Sequence, residues 1–331
     1  MITVNRQITL AQRPEGQLAE SCFSRSDDNP APTPGAGEAL GKVEWLSIDP
    51  TIRIWMGMDT YLPAIKIGAP IRSAGLVRVV KSDNPALPVG TLVFATPGWQ
   101  EYAIVTERDQ VVPDGVHPTA ALSIFGITGI TAYFGLLDIG RPTAGETVVV
   151  SGAAGSTGSI AGQIAKIKGC RVVGIAGSDE KCSWLTDELG FDAAINYRSE
   201  NVAAKLRETC PDGIDVYFDN AGGDILEAAI GHLALRGRVV MCGAISRYND
   251  SAPSPGPRNL SALISKRGRM EGFIVLDYLK RSGEAIQHLA TWLAEGRLTY
   301  SVDVMEGLDS APDALMKLFD GGNTGKMMVR L

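Results

Sequence analysis

The chain has 331 residues, 45% of them hydrophobic and 21% charged, a globular composition with length for two domains. Its net charge of −6, with no basic block, argues against nucleic acid or an anionic membrane as the main partner. No run of 18 apolar residues is present to span a bilayer, and the opening "MITVNRQITLAQRPEG" lacks the apolar core of a signal peptide, so a cytoplasmic location is expected.

Up to about residue 117 the chain is rich in Pro, Gly and short apolar runs. "EALGKVEWLSID", "APIRSAGLVRVVKSD", "GTLVFAT" and "WQEYAIVTERDQVV" read as strands interrupted by turn residues, which makes a mostly β unit. From Pro118 the texture changes, and "TAALSIFGITGITAYFGLLDIG" has helical apolar spacing. Strict alternation follows: strands at 147–151, 171–176, 193–196, 214–219 and 237–243, with helices at 157–168, 179–189, 201–209 and 224–234. Such alternation predicts a parallel sheet with crossover helices, and "RMEGFIV" is a candidate sixth strand. "SGEAIQHLATWLAEGR" reads as an amphipathic helix, and the tail "YSVDVMEGLDSAPDALMKLFDGGNTGKMMVRL" returns to short strands around one helix. The pattern is a β domain interrupted by a doubly wound domain and completed by the tail. The cysteines (Cys22, Cys170, Cys182, Cys210, Cys242) form no C-x-x-C pair, and His117, His232 and His288 form no ligand array. Reduced core thiols and no metal are therefore expected.

The stretch "VVVSGAAGSTGSIAGQIAKIKGCRVVGIAGSDEK" carries the most chemistry. Ala153-x-Gly155-x-x-Gly158 matches the dinucleotide fingerprint with Ala in the first place; it follows a strand, opens a helix and leads to a second strand. Gly155 permits close approach of a pyrophosphate, Gly158 permits helix–strand packing, and the helix N-terminus offers free N–H groups to the phosphates. The second strand then ends on Ala176 and Gly177, where an NAD site usually carries an acid. Ser178 and Lys181 suit a 2′-phosphate, and Tyr197 could cover it, which favours NADP(H). The competing reading has Ser178 capping the next helix; Asp179 and Glu180 then favour that helix N-terminus and leave room for NAD.

With these motifs in place, the chain resembles the zinc-independent medium-chain dehydrogenase/reductases, in the branch of prostaglandin reductases, leukotriene 12-hydroxydehydrogenases, alkenal double-bond reductases and curcumin reductases. The resemblance covers nearly the whole chain and rests on "LSIDPTIRIWM", "GWQEYAIV", "GITGITAYFGL", the stretch above, "INYR", "VYFDNAGG", "VVMCGAIS", "RMEGFIV" and "GNTGK". It implies an α/β fold: a GroES-like β domain (1–117 and 298–331), a Rossmann domain with a doubly wound parallel sheet (118–297), and a cleft between them. It implies an NADP-dependent oxidoreductase that reduces a carbon–carbon double bond conjugated to a carbonyl, and a homodimer joined through "RMEGFIVL".

Carried over residue by residue, the resemblance assigns the pyrophosphate to Gly155, Ser156, Thr157 and Gly158, and the 2′-phosphate side to Lys181 and Tyr197. Asn220 lies near the cofactor, Cys242, Gly243, Ala244, Ile245, Ser246 and Tyr248 line its nicotinamide half, and Phe273, Ile274, Val275 and Asn323 approach the nicotinamide. The family often reads D-P-Y-M-R-G-R-M where this chain has "DPTIRIWM": a tyrosine is missing at Thr51, and Ile54 replaces a glycine. Hydride addition to the β-carbon of an enone or enal builds negative charge on the carbonyl oxygen. With no metal to polarise it, a hydrogen-bond donor is needed. Tyr248 is the first candidate and Tyr61, in "DTYLP", the second. A hydrophobic or aryl enone or enal is the expected substrate, with Trp55, Tyr61, Trp99 and Tyr102 as candidate walls. Quinone or carbonyl chemistry on the same scaffold, or a non-catalytic NADPH-binding role, are the alternatives. The divergent "ESCFSRSDDNPAP" is expected on the surface.

Overall fold

The computed structural model describes residues 4–252 and 254–331. The chain forms two units: residues up to Leu122 with Tyr248–Ser251 and Val302–Leu331, and Ser123–Arg247 with Ala252–Ser301. Among the described residues no helix is long and apolar enough to cross a membrane.

In the first unit β1 (Gln7–Leu10) pairs antiparallel with β2 (Phe23–Ser26). A larger sheet contains β3 (Ala39–Ser47), β4 (Gly75–Ser82), β5 (Leu92–Ala95), β6 (Tyr102–Val105) and β7 (Gln110–Val111), joined by β14 (Val302–Glu306) and β15 (Lys326–Arg330) of the tail. Its order is β14-β15-β3-β4-β5-β7, with β6 also on β3. Two short helices, α1 (Thr51–Gly57) and α2 (Pro118–Leu122), and α10 (Ala311–Phe319) accompany it. The core draws on Ile8, Leu46, Ile52, Val77, Trp99 and Leu315, from every part of the unit.

Two expectations are corrected in this unit. Cys22 and Phe23 of the divergent N-terminal segment are buried, and Phe23 stacks on Trp99 with ring centroids 5.7 Å apart. Pairing of β2 with β1 turns those side chains inward, so only part of "ESCFSRSDDNPAP" is surface. Trp99 is accordingly fully buried core rather than a pocket wall.

The second unit follows the predicted alternation. The strands β8 (Thr147–Ser151), β9 (Arg171–Ala176), β10 (Ala193–Asn196), β11 (Ile214–Asp219), β12 (Leu233–Met241) and β13 (Arg269–Gly272) are all parallel, in the order β10-β9-β8-β11-β12-β13. That is the order 3-2-1-4-5-6 of a dinucleotide-binding sheet, and its switch point lies between β8 and β11. The helices are α3 (Ile127–Phe134), α4 (Ser156–Ile167), α5 (Asp179–Ser183), α6 (Val202–Thr209), α7 (Gly223–Gly231), α8 (Ser261–Lys266) and α9 (Ser282–Ala294). π-helical turns extend α3 over Gly135–Gly140 and α5 over Trp184–Glu188.

The strand expected at 237–243 runs Leu233–Met241, and two further boundaries differ from expectation. The helix expected to reach residue 234 ends at Gly231, because Leu233 already pairs with Ile214; the register then slips, with Arg236 left-handed at φ 64°, before Arg238 resumes pairing with Val216. The sixth strand stops at Gly272, so Phe273, Ile274 and Val275 follow the strand instead of forming its end.

Candidate cofactor and active site

The residues assigned to the cofactor in the second unit follow the C-terminal ends of parallel strands. Because all six strands run the same way, those ends share one edge of the sheet. Gly155–Gly158 follow β8, Ser178 and Lys181 follow β9, Tyr197 follows β10, Asn220 follows β11, Cys242–Ser246 follow β12 and Phe273–Val275 follow β13. Ligands of open α/β sheets bind at this edge, at the switch point.

After β8 the chain turns at Gly152, whose φ of 58° favours glycine. The fingerprint match put Ala153 first, but the left-handed turn falls one residue earlier. Gly155 is the N-cap of α4, its carbonyl accepting from Ser159 N at 2.9 Å, and no side chain caps this helix. The N–H groups of Ser156, Thr157 and Gly158 thus stand at an uncapped positive helix end, the arrangement that binds phosphate. A Cβ on Gly158 would lie 2.4 Å from Gly152 O and 2.9 Å from Ala153 Cα, both backbone atoms. The turn can therefore hold helix and strand this close only with glycine. Ser156 Oγ donates to Thr128 Oγ1 at 2.9 Å, fixing the first turn to α3.

At the tip of β9, Ser178 is the N-cap of α5: its Oγ accepts from Lys181 N at 3.3 Å. The capping reading of Ser178 is thus realised, but a hydroxyl that accepts still has a proton to donate. Asp179 is engaged elsewhere, accepting from Asn196 Nδ2 at 2.7 Å. Tyr197 N donates to Ala176 O, and its ring lies across Gly177, 3.0 Å from where a Cβ would stand. The Arg198 guanidinium rests 5.9 Å from the centre of that ring. Serine, lysine, tyrosine and arginine thus flank the strand tip where an NAD site would carry an acid. Arg198, which ends the motif "INYR", was not singled out from sequence; its adjacency to Tyr197 was the available signal.

At the end of β11, Asn220 Nδ2 donates to Ser151 O at 2.7 Å and its N–H to Ser151 Oγ at 2.9 Å, which ties the two strands across the switch point. Beneath it lies buried Asp219. Its Oδ1 accepts from Ser151 Oγ, Tyr217 Oη, Ala221 N and Gly222 N. Burial nevertheless pushes the carboxyl above its ordinary range. The loop after β12 is laid along this turn: Cys242 N and Gly243 N donate to Asp219 O, Ile245 N to Asn220 O, and Ser246 N and Oγ to Ala221 O. Burial, and the Asp219 charge after it, push the Cys242 thiol up to about 12. Phe273 packs on Gly135, where a Cβ would stand 2.4 Å from its Cζ, and meets Tyr278 edge to face.

The other three assigned residues lie in the first unit. Tyr248, half-buried, is followed by Asn249, whose Oδ1 accepts from Arg53 Nε at 3.0 Å. Tyr61 is exposed and stands edge-on to Trp55, with ring centroids 6.1 Å apart and the Arg72 guanidinium 5.7 Å from the Trp55 ring. Asn323 Nδ2 donates to Gly325 O within the turn before β15. Lys326, which follows, is buried and bonds Ile48 O and Asp49 Oδ1, so "GNTGK" and "IDPTIR" meet at an ion pair. Sequence reasoning had no signal for that pair, which links positions 277 residues apart.

Residues 6–112 match the family described as the N-terminal domain of oxidoreductase, and residues 156–294 match the zinc-binding dehydrogenase family. Among the described residues, no group of three or more His, Cys, Asp or Glu side chains could hold a metal ion. The chain is 46% identical to the putative NADP-dependent oxidoreductase YfmJ of Bacillus subtilis, over 100% of this chain and 99% of that one. It is 39% identical to the NADPH-dependent curcumin reductase of Escherichia coli, covering 99% and 97%. The crystal structure of CurA in complex with NADPH from Vibrio vulnificus superposes with a TM-score of 0.94 at 40% identity, covering 98% of each chain. Fold, sheet order and these likenesses define an NADP-dependent oxidoreductase with the medium-chain dehydrogenase/reductase fold. Within that superfamily the chain belongs to the zinc-independent family of the curcumin, 2-alkenal and prostaglandin reductases.

Proposed function

We propose that the protein reduces the carbon–carbon double bond of α,β-unsaturated ketones or aldehydes, with Tyr248 as the donor that stabilises the enolate. NADPH, when bound, supplies the hydride that the β-carbon receives; a proton added at the α-carbon completes the saturated carbonyl product. The uncapped N-terminus of α4 would hold the pyrophosphate, and Ser178, Lys181, Tyr197 and Arg198 the 2′-phosphate side. Relatives named curcumin reductase and 2-alkenal reductase support an enone or enal as the substrate class.

The observation that carries the reading is the course of the chain at the switch point. Five hydrogen bonds fasten Cys242–Ser246 along Asp219–Ala221, and the fastened loop delivers the chain to Tyr248. A phenol is protonated at pH 7 and can donate to an oxygen that becomes anionic. Tyr61, on an exposed loop against Trp55, is assigned to substrate binding.

Tyr248→Phe removes one hydroxyl and keeps the ring. Single-turnover reduction of an aryl enone at saturating NADPH should slow about tenfold to a hundredfold while NADPH affinity is unchanged. A wild-type single-turnover rate would remove Tyr248 from the chemistry.

A further inference from the structure

Arg53 is 5% exposed, yet its hydrogen-bond partners are neutral oxygens. Nε donates to Asn249 Oδ1 at 3.0 Å, and Nη2 to Gly16 O at 2.7 Å and Pro14 O at 3.4 Å. Desolvation pushes the guanidinium below its ordinary value. A buried charge without a matching carboxylate is costly, and an apolar side chain of similar volume packs at least as well.

Two of its partners lie on the loop 14–16, and the third is 196 positions away in sequence. Gly16, left-handed at φ 76°, brings that loop against Asn249, whose carbonyl is 3.9 Å from where a Gly16 Cβ would stand. Asn249 belongs to Tyr248–Ser251, the four residues that pack with the first unit although the chain on both sides of them packs with the second. Arg53 sits on α1 with Ile52 and Met56, the other buried residues of this short helix, so its donors project from a fixed element.

We propose that Arg53 is a positioning residue for Tyr248. By gripping Asn249 Oδ1 from α1, it fixes the backbone next to the phenol and so the place from which the hydroxyl donates. The proposal rests on the enolate role given to Tyr248 above. Thr51 and Ile54 depart from the family pattern on α1, while Arg53, which matches it, performs the holding.

A double-mutant cycle tests it, read by single-turnover reduction of an aryl enone, NADPH affinity and thermal midpoint. Arg53→Met should slow the hydride step about tenfold to a hundredfold, the scale of a small misplacement of a reacting group, with NADPH affinity unchanged. Arg53→Lys, which retains a donor, should recover part of the rate. In a Tyr248→Phe background Arg53→Met should cost less than about twofold more, because the group it positions is gone. An equal loss in both backgrounds overturns the proposal. Should Arg53→Met fail to fold, Asn249→Ala replaces it in the same cycle, with the same two outcomes. If Tyr248→Phe alone keeps the wild-type rate, the enolate reading fails, and the proposal falls with it; that result is visible in the single variant whatever Arg53 does.

Discussion

The Ser178 hydroxyl accepts from Lys181 N at the tip of β9 and keeps a proton to donate, and Lys181 belongs to the same turn. Asp179, the nearest acid, is occupied by Asn196. Under the reading proposed above, a 2′-phosphate would gain charge-assisted bonds here. Lys181→Ala should therefore raise the Michaelis constant for NADPH on the order of ten- to a hundredfold, the worth of a lost charged hydrogen bond, and leave that for NADH nearly unchanged. Steady-state kinetics with both cofactors check it; equal effects would make Lys181 a folding residue. At this scale the sequence was readable where one residue acts within its own turn, as Ser178 does in capping α5. It was silent where partners are far apart: Arg53 needs Asn249, and Lys326 needs Asp49, before either means anything.

The first turn of α4 depends on Gly158 having no side chain, since a Cβ there would meet two backbone atoms that cannot swing away. Gly158→Ala should destabilise the protein by about 1–3 kcal/mol through overpacking and weaken NADPH binding by moving the phosphate-binding N–H groups. Calorimetry and a cofactor titration measure both; a wild-type thermal midpoint with wild-type affinity would contradict the packing argument. Elements built on a single period were legible: β8 to β12 stand within a few residues of their expected places because each carries a short buried apolar run, as in "TVVVS" of β8 and "VVGIA" of β9. β2 was hidden because "FSRS" buries only its first residue fully, and α1 because seven residues are too few to display a helical period. The bulge around Arg236 moved the start of β12 for a reason that lies in pairing with β11, not in local propensity.

For the whole molecule, β13 is an edge: it pairs with β12 on one side, and no partner strand lies on the other among the described residues. Next in the sheet, Leu235 of β12 is exposed, as are Leu260 and Ile264 (81%) before and within α8, which packs on β12 and has no buried residue. An unpaired edge flanked by apolar side chains invites a second copy. Antiparallel pairing about Met270 would set Arg269 of each chain opposite Glu271 of the other, so the charges are self-complementary. Light scattering at micromolar concentration should give twice the 35.1 kDa of the chain; a monomer mass would contradict the pairing. The central claim is that the hydride goes to carbon–carbon, not carbon–oxygen, unsaturation. Reduction of an aryl enone with NADPH deuterated at the transferred position, followed by NMR of the product, tests this most directly. The predicted result is a saturated ketone with deuterium on the β-carbon; an allylic alcohol with deuterium on the carbinol carbon would contradict it.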